Sequence, residues 1–62
     1  MRKLQLQIYN RDTYTFIPMM LECKEISRDE KKKSITYSFY HPFEKREVQG
    51  TINLEFWDAL SN

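Results

Sequence analysis

The 62-residue chain contains one glycine, one cysteine, one histidine and two prolines. A single cysteine cannot form an internal disulfide. The absence of disulfides in so small a chain favours a reducing, cytoplasmic location. One glycine cannot build a phosphate-binding loop. Two residues of the Cys/His type cannot supply the four ligands of a structural zinc site. The sequence therefore predicts neither a bound metal nor a cofactor.

Long apolar runs are also missing from the chain. No stretch approaches the ~18 apolar residues of a membrane span. The start of the chain alternates apolar and polar residues, whereas a signal peptide needs a continuous apolar stretch of about 7–15 residues. We therefore expect no membrane segment and no secretory leader.

Neither sign of charge dominates, since ten Lys+Arg stand against nine Asp+Glu, a net charge of +1. This balance gives little counterion-release drive towards nucleic acid. Hydrophobic residues make up 40% and aromatic residues 15%, too many for a disordered chain. We expect one folded domain over residues 1–62. A chain of this size buries only ~60% of its surface, which leaves no room for a deep active-site pocket.

Alternation of apolar and polar residues with a period of two is the strongest pattern in the sequence. It predicts strands over Lys3–Tyr9, Thr13 to about Ile26, Ser34–His41, and onward from Glu47. Polar turns separate the strands. The predicted fold is all-β, a four- to five-stranded antiparallel meander forming a strongly bent sheet or an SH3-like or OB-like barrel.

Two residues interrupt this pattern. Pro18 cannot donate a hydrogen bond to a neighbouring strand, so it marks a bulge, a bend or an edge position. We expect a kink there, which could divide the strand in two. Gly50 lies on the inner face of the last strand, where it indicates a bulge or the close approach of a large neighbour such as Tyr37.

The C-terminal segment fits two structures. The alternation continues to Phe56 and favours a strand. The alternative is a short helix over Leu54–Leu60 capped by Asn53, with Ile52 and Trp57 in hydrophobic-staple positions.

The groups available for catalysis are few, because Cys23 is the only thiol and His41 the only imidazole. A nucleophilic Cys–His pair needs hydrogen-bond contact and a third group that orients the imidazole. The pattern favours a small core residue for Cys23 and an exposed strand end for His41. We predict no catalytic residue, no enzymatic activity and no small-molecule substrate.

The chain has more large apolar side chains than one four-stranded sheet can shelter. We therefore predict a non-catalytic binding or regulatory module that acts through a strand edge or an apolar patch. Its partner is a second copy, as a homodimer, or a different protein. Met, Trp and Phe are enriched at interface centres. The residues predicted for the patch are Met19, Met20, Phe43 and Trp57.

The alternative is a module that binds single-stranded nucleic acid. Small sheets bind such strands by stacking bases on exposed aromatic residues beside cationic groups. Tyr40 and Phe43 would stack on bases. The residues predicted to contact phosphates are Lys31, Lys32, Lys33, Lys45 and Arg46.

Overall fold

The computed structural model describes residues 1–60, so the last two residues of the predicted domain lie outside the description. Its elements, in chain order, are the strands β1 (Arg2–Asn10), β2 (Thr15–Asp29), β3 (Ser34–His41) and β4 (Arg46–Asn53) and the helix α1 (Leu54–Ala59). Each strand pairs antiparallel with the next, in the order β1-β2-β3-β4. The predicted meander is confirmed as an open sheet rather than a closed barrel. α1, the helix of the described region, is too short to cross a membrane.

The long strand β2 changes partner half-way along. Residues 15–23 pair with β1, and residues 24–29 pair with β3. Fifteen residues at ~3.3 Å each would extend about 46 Å if straight, which exceeds the longest dimension of the molecule, 39 Å. β2 is therefore bent. We call β1 together with residues 15–23 of β2 the arm.

The irregularity in β2 is a bulge between Glu25 and Ser27, not the kink predicted at Pro18. The register between β1 and β2 runs past Pro18 without a shift. Proline lacks only a donor, so it fits a regular strand where no neighbour needs that donor. Of the predicted alternatives for Pro18, the edge position is the one that the structure shows.

One hydrophobic core joins the arm to β3. Leu4 and Ile8 on the inner face of β1 are buried with Ile35, Tyr37 and Phe39 of β3. These are the positions that the period-two alternation assigns to inward-facing side chains. The arm therefore packs on the inner face of the rest of the sheet.

A short helix closes one end of this core. The Asn53 side-chain oxygen accepts a hydrogen bond from the Glu55 backbone N–H at 2.8 Å, as expected for a helix N-cap. α1 buries Leu54 and Trp57. The continued strand favoured by the alternation is therefore wrong, because the cap and the burial of these two side chains stabilise the helical alternative.

Gly50 makes room for a tyrosine from the next strand. Tyr37 is its cross-strand partner, and a Cβ atom at Gly50 would lie 2.6 Å from the Tyr37 Oη atom. The Tyr37 ring in turn stacks on Trp57, with ring centroids 6.0 Å apart. The predicted close approach is confirmed, and the register of β3 and β4 shows no bulge at Gly50.

The molecule is more extended than a typical chain of its size. Its accessible surface is 4800 Å², against about 4300 Å² expected for a folded monomer of this mass. Its radius of gyration is 12.3 Å, against about 10.6 Å expected. The fold thus leaves more surface uncovered than such a monomer usually does.

Candidate interaction surface

The four residues of the predicted apolar patch do not share one surface. Met19 faces the core and is half-buried, whereas Met20 faces the opposite side and is 60% exposed. Phe43 is exposed in the turn between β3 and β4. Trp57 is only 2% exposed, as part of the core.

Trp57 contacts a cluster of charged side chains that holds α1 in place. Its indole N–H donates to the Glu25 carboxylate at 3.1 Å. Arg28 bridges the carboxylates of Glu25, at 3.2 Å, and Asp58, at 3.1 Å. The Arg2 guanidinium lies over the indole ring, 5.2 Å from its centroid, and donates to the Trp57 carbonyl oxygen at 2.7 Å. We call these five residues the Trp57 clasp.

The clasp stabilises the charged form of both carboxylates. The hydrogen bond from Arg28 lowers the pKa of Glu25, and the charge of Arg28 acts in the same direction. Arg28 also lowers the pKa of Asp58, with a smaller contribution from Arg2. The clasp therefore fastens α1 to β1 and β2 as ion pairs at neutral pH.

The basic residues predicted to contact phosphates lie at opposite ends of β3. Lys31–Lys33 form the turn before this strand, and Lys45 and Arg46 follow the turn after it. Eight residues separate the two groups by about 26 Å. Tyr40 is exposed between them.

His41 is buried, with 6% of its surface exposed, so the expectation of an exposed strand end is wrong. Its Nδ1 atom accepts the Glu44 backbone N–H at 3.1 Å, and its Nε2 atom lies 3.6 Å from the Glu44 carboxylate. His41 lies on the odd-numbered face of β3 with the core residues. The alternation in the sequence already places it on that face and so could have predicted its burial. Cys23 is fully buried, and this burial raises the pKa of its thiol. Within residues 1–60, no three His, Cys, Asp or Glu side chains gather as a metal site.

An open cleft of about 370 Å³ separates the β1–β2 turn from the β3–β4 turn. It brings together Phe43 and Arg46, which the nucleic-acid alternative placed on one surface, with Tyr9 and Arg11 opposite them. Arg46 is already paired with Glu44 at 2.9 Å, and this contact lowers the pKa of the glutamate. The cleft is therefore a mostly polar gap between two turns.

The arm carries apolar side chains on both faces of β2, a feature that the sequence analysis did not single out as a surface. The outward residues are Phe16, Pro18 and Met20, and the inward residues are Ile17, Met19 and Leu21. Phe16 is 64% exposed and packs against Tyr9 of β1, at 5.0 Å between ring centroids. A run without polar residues is typical of a strand covered on both sides, and here one side is open.

The arm also has an open main-chain edge along β1. Gln7 lies opposite Pro18, which has no N–H to donate. A proline within a regular ladder lies where its nitrogen faces the free edge, which assigns Gln7 and Pro18 to a non-hydrogen-bonded pair, and antiparallel pairs alternate between bonded and non-bonded. The outward-directed N–H and C=O groups of β1 thus belong to Lys3, Gln5, Gln7 and Tyr9. Within residues 1–60, none of the backbone hydrogen bonds formed outside the regular strands and α1 involves β1.

In comparisons with known proteins, no family model, no curated protein and no solved structure matches this chain.

Proposed function

We propose that this protein is a non-catalytic binding module that associates with other protein chains by strand addition at the edge of β1. The observation that carries the proposal is a nine-residue edge strand without charge from Leu4 to Asn10 and without proline, glycine or bulge. Soluble proteins usually block such edges with charged residues, proline or a bulge. An added strand would gain affinity from the main-chain hydrogen bonds.

The other edges of the sheet carry features that hinder strand addition. The free edge of residues 15–23 contains Pro18, which offers no donor there. Residues 24–29 have a bulge and several charged side chains. β4 begins with Arg46 and Glu47 and has Gly50 in its interior, where glycine weakens a strand. β1 also begins with two charged residues, Arg2 and Lys3, but from Leu4 to Asn10 it is the edge among residues 1–60 that lacks all of these features.

The side chains beside the open edge support the same surface. Leu6 and Met19 are cross-strand neighbours in the middle of the arm. Both face the core and both remain half-buried. A strand added next to β1 would cover Leu6 with its own inward side chain, since neighbouring residues on one face of a sheet lie about 5 Å apart. Strand addition thus completes the burial that the single chain leaves unfinished.

Replacing Gln5 with proline tests the proposal. The ring removes an N–H that faces the open edge, so it blocks strand addition while leaving the hydrogen bonds to β2 in place. Gln5→Thr is the matched control, because it changes the side chain and keeps the N–H. Sedimentation equilibrium from about 1 μM to about 1 mM covers weak to moderate affinities.

We expect the mass of the unmodified protein and of Gln5→Thr to rise with concentration, and Gln5→Pro to stay monomeric. Association of Gln5→Pro equal to that of the unmodified protein would place the interface elsewhere and contradict the proposal. So would an unmodified protein that stays monomeric throughout. Circular dichroism at the lowest concentration checks that both variants fold.

A further inference from the structure

The central residues of β1, Leu4 to Ile8, are chemically symmetric about Leu6. On either side of it lie the glutamines Gln5 and Gln7, and then the aliphatic residues Leu4 and Ile8. Leu6 is also the midpoint of the strand, which runs from Arg2 to Asn10. A strand with this symmetry offers the same side chains to a partner as it would receive from an antiparallel copy of itself.

The main-chain groups of β1 fit the same arrangement. Two antiparallel copies centred on Leu6 place Gln5 opposite Gln7 of the other copy, and Lys3 opposite Tyr9. All four residues direct their N–H and C=O groups to the open edge, as shown above, so these pairs are the hydrogen-bonded ones. The full strand is then paired through about eight hydrogen bonds, two for each pair. Other registers about a two-fold axis leave part of β1 unpaired.

The charges of β1 are compatible with this register as well. Arg2 and Lys3 are the charged residues of the strand, and both lie at its start. In an antiparallel pair they fall at opposite ends of the interface, beside the uncharged residues Asn10 and Tyr9 of the other copy. Within β1, no two like charges lie directly opposite each other, and Lys3 can contact the face of the opposite Tyr9 ring.

The inner face gains a continuous apolar row. Leu6 and Met19 of one copy adjoin Leu6 and Met19 of the other, and Leu4 adjoins Ile8. Of these residues, Leu6 and Met19 are the half-buried ones. A self-complementary patch of this kind is the property that a two-fold symmetric interface requires.

From these observations we infer that the partner of the β1 edge is β1 of a second copy, paired antiparallel with Leu6 on the two-fold axis. The dimer is a continuous eight-stranded sheet. This inference rests on the proposed strand addition and specifies its partner and register.

Charge pairs at Gln5 and Gln7 test the register. In the double variant Gln5→Lys/Gln7→Lys, two pairs of lysines face each other across the interface. In Gln5→Lys/Gln7→Glu, each lysine faces a glutamate. Like charges directly opposite destabilise a strand pair and opposite charges stabilise it. Both side chains are exposed in the single chain, so both variants retain the fold of the monomer.

We expect the dissociation constant to rise on the order of tenfold for the lysine–lysine variant, and to stay equal or fall for the lysine–glutamate variant. Mixing the lysine–lysine variant with Gln5→Glu/Gln7→Glu is expected to restore dimers that contain one chain of each. Sedimentation equilibrium measures the constants, and native mass spectrometry identifies the mixed dimer.

Equal dissociation constants for the two lysine variants, or a mixture that forms no mixed dimer, would overturn the inference. If Gln5→Pro abolished association even so, strand addition at the edge of β1 would stand. The strand added to that edge would then not be β1 of a second copy in this register. A protein that stays monomeric overturns the inference and the self-association on which it rests. Thermal unfolding at low concentration confirms that each variant is folded.

Discussion

At the scale of single residues, the contact between Gly50 and Tyr37 shows how one side chain depends on the absence of another. The Tyr37 Oη and Cζ atoms lie 2.6 and 2.7 Å from the position of a Gly50 Cβ atom. Tyr37 has little freedom to move, because it is buried and stacked on Trp57. Gly50 is therefore required by the tyrosine rather than by the backbone.

Gly50→Ala is expected to lower the free energy of unfolding by about 1–3 kcal/mol, the usual cost of overpacking a core. In an ordinary strand the same change would be favourable, since glycine is less suited to a strand than alanine. Urea unfolding measures the effect. In a Tyr37→Leu background the cost of Gly50→Ala should disappear. If Gly50→Ala cost nothing in the unmodified background either, the Tyr37 ring would be able to move away from the added Cβ atom without loss of stability.

At the scale of elements, α1 depends on its cap and its buried face. It has six residues, too few for a helix to be stable by itself. Asn53→Ala removes the side-chain oxygen that accepts the Glu55 N–H and should cost about 1 kcal/mol. Asn53→Asp keeps an acceptor and should cost less. Urea unfolding compares the two variants, and equal losses would mean that the cap contributes nothing.

The sequence predicts the strands better than the irregularities between them. β3 has the predicted bounds, because its alternation is unbroken from Ser34 to His41. The bulge after Glu25 falls in a polar stretch where alternation gives no signal, and α1 forms in a run whose alternation favours a strand. Both places contact Trp57, which is buried and donates a hydrogen bond to Glu25, and these are tertiary contacts. Local pattern cannot supply them.

The candidate surface was predictable in part for the same reason. Exposure of Tyr40 and Phe43 follows from their positions, and both are exposed. Whether the edge of β1 is open could not be decided, because the predicted meander leaves it open in a bent sheet and pairs it in a closed barrel, and alternation describes only the faces of a strand. The order of the strands decides that.

At the scale of the whole molecule, the Trp57 clasp makes stability depend on pH. The pKa values of Glu25 and Asp58 lie below their ordinary values of 4.5 and 3.8. The unfolded chain therefore binds more protons in this range, and stability is lost as the pH falls below these ordinary values and through the lower folded values. The ion pairs that join α1 to β1 and β2 disappear over the same interval.

Arg28→Met should accordingly reduce the thermal unfolding midpoint at about pH 7 and have a smaller effect at about pH 2.5, which lies below the ordinary pKa of both carboxylates. Lys32→Met, at an exposed turn position, serves as the control and should change the midpoint little at either pH. If the effect of Arg28→Met were the same at both pH values, the contribution of Arg28 would be packing rather than charge.

Because β2 is shared by both halves of the sheet, the chain has no internal boundary at which it could come apart. The residues that pair with β1 and those that pair with β3 follow one another directly, at Cys23 and Lys24. Local unfolding of the arm and local unfolding of the residues next to α1 both disrupt β2. Opening of either half weakens the other, so we expect the described part of the chain to fold and unfold as one cooperative unit.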